Sequence, residues 1–249
     1  MFLLQRKMLY FPPQIYHSPA EAGVPSMAEL SLAPNTTSWW SPPQSSDKKT
    51  ILFFHGNGSA VYGNAHIFKD LMAQGHGVLS VGYFGYPHKD MGDLQTPSQK
   101  RITAAAKANY QFVLEQNIAP ETIVFFGTSL GSGVASQLAA SHKPSLLILD
   151  APFNSILDMG KKQVPYLPVE LLMKDKYQSG KALSELDVPL IWTHGTNDQI
   201  VPISQGQKLF DSYDGPKTPH IIKGGRHTNL WGLGAREVVL TALNNKTQP

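Results

Sequence analysis

The stretch Thr122-Ile123-Val124-Phe125-Phe126-Gly127-Thr128-Ser129-Leu130-Gly131 joins an unbroken apolar run to a serine between glycines, and the alanine-rich segment after it reads as a helix. Strand, tight turn and helix in that order give the G-x-S-x-G pattern a structural context that makes Ser129 a candidate nucleophile. A serine at such an elbow sits in a strained backbone conformation with its hydroxyl clear of the sheet, while Gly127 and Gly131 omit side chains that would collide. The helix opens with unpaired N–H groups and a partial positive charge, so the Leu130 N–H is a candidate donor to an oxyanion forming beside Ser129.

On either side of this elbow the pattern alternates. Apolar runs predict strands over 50–54, 77–81, 122–126, 146–149, 189–193 and 220–223. Helical stretches predict helices within 60–74, over 97–116 with Thr96 as cap, over 129–141, within 204–213 and near 235–244. Strands apolar throughout suit a parallel sheet covered on both faces. Segments 27–33 and 36–40 predict short antiparallel edge strands. The fold class expected is therefore α/β: a mostly parallel, doubly wound sheet with an antiparallel N-terminal edge and a small cap insert over 153–187.

The chain has 249 residues, 41% of them hydrophobic, which suits one domain over 1–249 with an N-terminal arm over 1–26. Basic residues number 21 against 18 acidic, and no basic run follows a nucleic-acid backbone, so nucleic acid is not an expected partner. With no cysteine, disulfides, thiolate metal sites and a cysteine nucleophile are all excluded. The N-terminus, Met1 to Phe11, has apolar residues on both sides of Arg6-Lys7 but no stretch spanning a bilayer. It reads as a packing arm or the remnant of an anchor, and it makes peripheral membrane contact a candidate. Composition leaves both a cytoplasmic and a membrane-associated location open, and also the oligomeric state.

A serine nucleophile needs a base and an acid, which in open α/β sheets gather at the carboxyl ends of strands. His55, His194 and His227 all lie at such ends. His227, in the loop Gly224-Gly225-Arg226-His227-Thr228-Asn229, is the candidate base, whereas His55 and His194 read as structural groups that hydrogen-bond a loop. Asp198, in Gly195-Thr196-Asn197-Asp198-Gln199-Ile200-Val201-Pro202, is the candidate acid, with Asp150 the alternative and Asp187 a distant third. The loop His55-Gly56-Asn57-Gly58-Ser59 offers the Asn57 N–H as partner to that of Leu130. It lacks the lysine and spacing of a phosphate loop and the G-x-G-x-x-G of a dinucleotide site. No metal or organic cofactor is required. A metal site from His55, His194, Asp198 and His227 is a remote alternative, without paired-histidine spacing.

With elbow, His-Gly loop, late aspartate and terminal histidine in order, the chain resembles an α/β-hydrolase from about residue 27 onward. It is similar in particular to short-capped serine hydrolases that include membrane-anchored α/β-hydrolase domain proteins and protein depalmitoylases. Phe54-His55-Gly56-Asn57, the elbow, Ala151-Pro152-Phe153-Asn154-Ser155-Ile156 and the Asp198 turn carry the likeness, and Tyr10-Phe11-Pro12 looks like the segment after an anchor. Gly82-Tyr83-Phe84-Gly85-Tyr86-Pro87 departs from it: the acid and arginine found there in relatives are missing, which predicts a more apolar local surface. The resemblance implies ester hydrolysis through an acyl-enzyme on a small-molecule ester or acyl substrate. Tyr166, Leu167, Leu171, Leu172 and Met173 are candidate acyl-site residues, though such a stripe is more often plain core packing. A thioesterase using the same machinery and a non-catalytic hydrolase-fold binding module are the alternatives.

Overall fold

A computed structural model describes residues 5–91, 95–163, 166 and 168–245. Strands β1 (Ala28–Leu30), β2 (Ser38–Ser41), β3 (Thr50–Phe54), β4 (Gly77–Ser80), β5 (Ile123–Thr128), β6 (Leu146–Asp150), β7 (Leu190–Gly195) and β8 (Lys217–Ile222) form one sheet in the order β1-β2-β4-β3-β5-β6-β7-β8. The β1–β2 and β2–β4 pairs are antiparallel and every later pair is parallel. The carboxyl ends of β3, β5, β6, β7 and β8 therefore open onto one rim, where loops can assemble a site.

Alternation along buried strands sends neighbouring residues to opposite sides. Leu52, Phe54, Phe125, Leu147 and Leu149 pack with helices α3 (Gln99–Glu115), α4 (Leu130–Ala139) and α8 (Ile203–Asp211). Ile51, Phe53, Val124, Phe126, Leu146 and Ile148 pack with α2 (Ala65–Ala73) and α9 (Ala235–Asn244). Two apolar layers, one per face, explain why the central parallel strands β3, β5, β6 and β7 carry no polar stripe. An edge-to-face pair of Phe53 with Phe68, centroids 5.1 Å apart, ties the second layer to α2.

Between β6 and β7 the chain makes short helices α5 (Ile156–Gln163), α6 (Val169–Leu172) and α7 (Ser179–Leu183), and Ser155 bridges Gln178. Ahead of the sheet, α1 (Gln5–Leu9) lies against this insert, with the Gln5 amide donating to the Leu172 carbonyl at 3.0 Å.

Several boundaries shift by one to three residues, and three of the departures are informative. β8 starts at Lys217 and runs through Pro219, because it is an edge strand and a proline there interrupts no central ladder. α3 is capped by Ser98, whose hydroxyl accepts from the Arg101 N–H at 3.4 Å, so Thr96 is not the cap. The strand expected over 27–33 narrows to Ala28–Leu30.

Candidate functional site

Ser129 sits between β5 and α4 with φ 51° and ψ −117°, a left-handed conformation costly for a residue with a Cβ. The surroundings enforce it. A Cβ on Gly131 would stand 1.9 Å from the Phe54 carbonyl oxygen, and one on Gly127 would stand 2.3 Å from that of Gly131. The start of α4 is thereby pressed onto β3 and β5, and the Ser129 N–H donates to the Asp150 carbonyl at 2.9 Å. Ser129 remains partly exposed.

At the same rim, Nε2 of His227 lies 2.9 Å from Ser129 Oγ, and Nδ1 lies 2.7 Å from Asp198 Oδ2. An ionised carboxylate only accepts, so Nδ1 carries the proton and Nε2 presents its lone pair to the serine hydroxyl. The loops are stitched together to hold this line. The Asn197 N–H donates to the Gly225 carbonyl at 2.9 Å, and the Gly224 N–H donates to Thr196 Oγ1 at 2.9 Å.

The Asp198 side chain is fully buried, which by itself would raise its pKa. Hydrogen bonds from His194, His227 and the Val201 N–H outweigh that burial and hold the carboxyl well below the usual carboxylate range. Its Oδ1 accepts the Ile200 and Val201 amides, both at 2.9 Å.

His194 contributes more than its reading as a loop-binding group suggests. Trp192 Nε1–H, which can only donate, points at His194 Nδ1 from 3.2 Å, so the proton resides on Nε2. That N–H donates to the Val201 carbonyl at 2.9 Å and lies 3.4 Å from Asp198 Oδ2. His194 therefore steadies Asp198 at the same oxygen, Oδ2, that faces His227. Sequence offered only its position at a strand end; the Trp192 contact, two residues away on the same face of β7, was the missed signal.

Asp150 is not the partner of His227. Its carboxyl accepts a short hydrogen bond from Thr193 Oγ1 on the neighbouring strand. Burial raises it to about 6, against the lowering effects of Thr193 and His227. Asp187 is exposed.

The loop after β3 reaches the elbow: a Cβ on Gly56 would stand 3.5 Å from Ser129 Cβ. His55 is wholly buried and stacked on Tyr83, with centroids 3.9 Å apart, and its Nδ1 contacts the Gly56 carbonyl at 2.9 Å. Burial lowers its pKa to about 4. Among the described residues no group of three or more His, Asp or Glu side chains is arranged to hold a metal ion.

Two expectations need correction. Tyr83, Phe84 and Tyr86 do not enlarge an apolar surface; all three are buried, and Arg101 stacks over the Phe84 ring at 4.2 Å. Plain packing does not hold along the insert stripe either, since Tyr166 is 84% and Leu171 83% exposed, while Leu167 lies outside the described residues. The one-turn helix α6 buries Val169 and leaves Leu171 facing outward.

A family model described as serine aminopeptidase, S33, matches residues 45–176, a span holding the elbow, the His55 loop and most of the insert. The chain belongs to that family of α/β-hydrolases. It is 29% identical over 245 residues to an uncharacterized protein of Mycobacterium tuberculosis, covering 96% of this chain and 85% of the relative. It is 28% identical over 194 residues to a lysophosphatidylserine lipase, ABHD12, of Danio rerio, covering 70% of this chain and 49% of the lipase. A solved esterase of Pyrococcus furiosus superposes with a TM-score of 0.69 at 18% identity, covering 94% of this chain and 96% of that one. The α/β-hydrolase fold of this family member is thus found in sequence and in architecture.

Proposed function

We propose that this α/β-hydrolase cleaves carboxylic esters through Ser129, His227 and Asp198 by way of an acyl-enzyme. The observation that carries the reading is the pair of contacts at His227, 2.9 Å to Ser129 Oγ and 2.7 Å to Asp198 Oδ2. His227 Nε2 takes the hydroxyl proton as Oγ attacks the carbonyl carbon. The Leu130 and Asn57 N–H groups receive the developing oxyanion, and the imidazolium returns the proton to the departing alkoxide. Water, deprotonated by the same nitrogen, then attacks the acyl carbon and frees Ser129. Asp198 keeps the imidazole tautomer and stabilises the imidazolium without itself taking the proton. None of these steps calls on a metal or an organic cofactor.

The substrate class is a small-molecule ester or acyl compound, a reading supported by the esterase and lipase among the similar proteins. The segment 153–187 serves as a small cap on a single domain. Met8, Phe11 and Ile15 of the arm are exposed, which supports peripheral membrane contact; among the described residues no helix is long and apolar enough to cross a membrane.

Turnover of p-nitrophenyl esters by the wild type and by Ser129→Ala tests the proposal. Loss of turnover and of fluorophosphonate labelling in the variant, with an unchanged melting temperature, is the expected result; retained turnover refutes it. Palmitoyl thioesters and aminoacyl amides in the same assay separate ester from thioester and peptide chemistry.

A further inference from the structure

The arm ahead of the sheet reaches the site through Asn57. Asn57 Nδ2 donates to the Leu9 carbonyl at 2.6 Å, and its Oδ1 accepts the Phe11 N–H at 3.0 Å. The side-chain amide thus binds the arm's main chain on both sides of Tyr10, much as a neighbouring strand would. Tyr86 supplies a further hydroxyl to Oδ1 at 2.8 Å, so all three bonds agree on one orientation of the amide.

Tyr10 is 4% exposed, and its hydroxyl lies 3.2 Å from that of Tyr177 and 3.3 Å from Asp175 Oδ2. Arg6 forks onto the same carboxylate, with Nε at 2.8 Å and Nη2 at 3.2 Å. Tyr177 is itself fully buried with φ 38°, a conformation that only a well-packed setting maintains. Its ring lies against α4, where a Cβ on Gly133 would meet Tyr177 Cδ1 at 3.0 Å. One chain of contacts therefore runs from the insert through the arm to the loop holding the proposed oxyanion donor.

We infer that the N-terminal arm is a working part of the oxyanion site: docked through Tyr10, it grips the Asn57 side chain and so sets the direction of the Asn57 N–H. Tyr10 is then a positioning residue, and Asn57 acts through its side chain as well as its main chain. This inference rests on the ester hydrolase reading above. Donors preorganised toward the oxyanion act in the transition state rather than on bound substrate, so loosening the arm lowers kcat and leaves KM unchanged.

The test uses the full chain with Asn57→Ala, Tyr10→Ala and the double variant, on a soluble p-nitrophenyl ester. Removing a whole oxyanion donor costs about a hundredfold or more in kcat, so misdirecting one predicts a fall of about 10- to 100-fold in each single variant, with KM within about twofold. Because both act through one contact, the double variant falls no further than Asn57→Ala. Affinity for a trifluoromethyl ketone, which forms the tetrahedral adduct, drops with kcat. Three results would overturn the inference: kcat within about twofold of wild type, a loss seen in KM, or losses that multiply in the double variant. If Asn57→Ala fails to fold, Tyr10→Phe, which removes only the hydroxyl contacts, decides by the same kcat criterion. Failure of these variants to alter kcat while Ser129→Ala is inactive overturns the arm's role alone; full activity in Ser129→Ala overturns the hydrolase reading.

Discussion

Exchanging the Asp198 carboxylate for an amide perturbs the proposed site at a single atom. Asp198 Oδ1 accepts two backbone amides at 2.9 Å, from Ile200 and Val201, so in Asp198→Asn the amide oxygen has to occupy that position. The new NH2 then replaces Oδ2 and faces Nδ1 of His227 across 2.7 Å. It donates, Nδ1 becomes the acceptor, and the imidazole proton moves to Nε2. At 2.9 Å from Ser129 Oγ there is now an N–H where a lone pair was needed, and the base cannot take the serine proton. A wrong-tautomer histidine costs about 10⁴-fold in kcat, or about 5 kcal/mol of activation free energy. The His194 N–H, 3.4 Å from Oδ2, meets a donor as well, and rotating the new amide would only exchange these two conflicts for two others, with the Ile200 and Val201 N–H groups at the Oδ1 position. Steady-state hydrolysis of a p-nitrophenyl ester and the rate of fluorophosphonate labelling measure the loss, and a thermal melt confirms the fold. The reasoning is refuted if Asp198→Asn keeps more than about a tenth of wild-type kcat, or if Asp150→Asn loses more than Asp198→Asn does.

Other perturbations bear on the supports of the site. His194→Leu removes the donor to the buried Val201 carbonyl and a neighbour of Asp198; a loss of about 1–3 kcal/mol in chemical denaturation, with kcat lowered and KM kept, is expected. Gly131→Ala drives a methyl group to 1.9 Å from a backbone oxygen of β3, so a drop in melting temperature together with slower fluorophosphonate labelling is expected. His55, held near a pKa of about 4 by burial, binds its proton in the unfolded chain near 6.5. The unfolded state thus takes up the extra proton between these values, and stability is greatest above about 6.5 and is lost as pH falls toward about 4, on the order of 3 kcal/mol in all. Denaturant midpoints across that interval show the slope, and His55→Asn makes it shallower, with His76, also lowered to about 4 by burial, keeping part of it.

The elements with strong periodicity were legible in the sequence. Strand 50–54 and helix 235–244 are found at the expected bounds, since their apolar residues face layers on both sides of the sheet. The fold class followed from continuous apolar strands, and the elbow from two glycines that the structure shows pressed against backbone. Ser129, Asp198 and His227 could be singled out by type and order, and the structure brings them together. What escaped were facts that arise between distant segments. Pro219 argues locally against a strand, yet an edge position tolerates it. His194 meets Asp198 and the Val201 carbonyl only once the loop over 195–201 folds back on β7. The polar chemistry of Asn57 is spent on Leu9 and Phe11, 48 and 46 residues earlier, and no local pattern announces that. The run Gly82 to Pro87 looked like surface because its neighbours, the His55 loop and α3, arrive from elsewhere in the chain.

The hydroxyl and the imidazole that meet at the rim are 98 residues apart along the chain, and the carboxylate belongs to a third crossover between them. Nothing shorter than a polypeptide paired all the way to its outermost strand owns a working set. On the proposed function, ester turnover is accordingly a clock for the end of refolding: far-ultraviolet ellipticity is expected to recover as local helices and central strands form, and hydrolysis only after the last strand has docked.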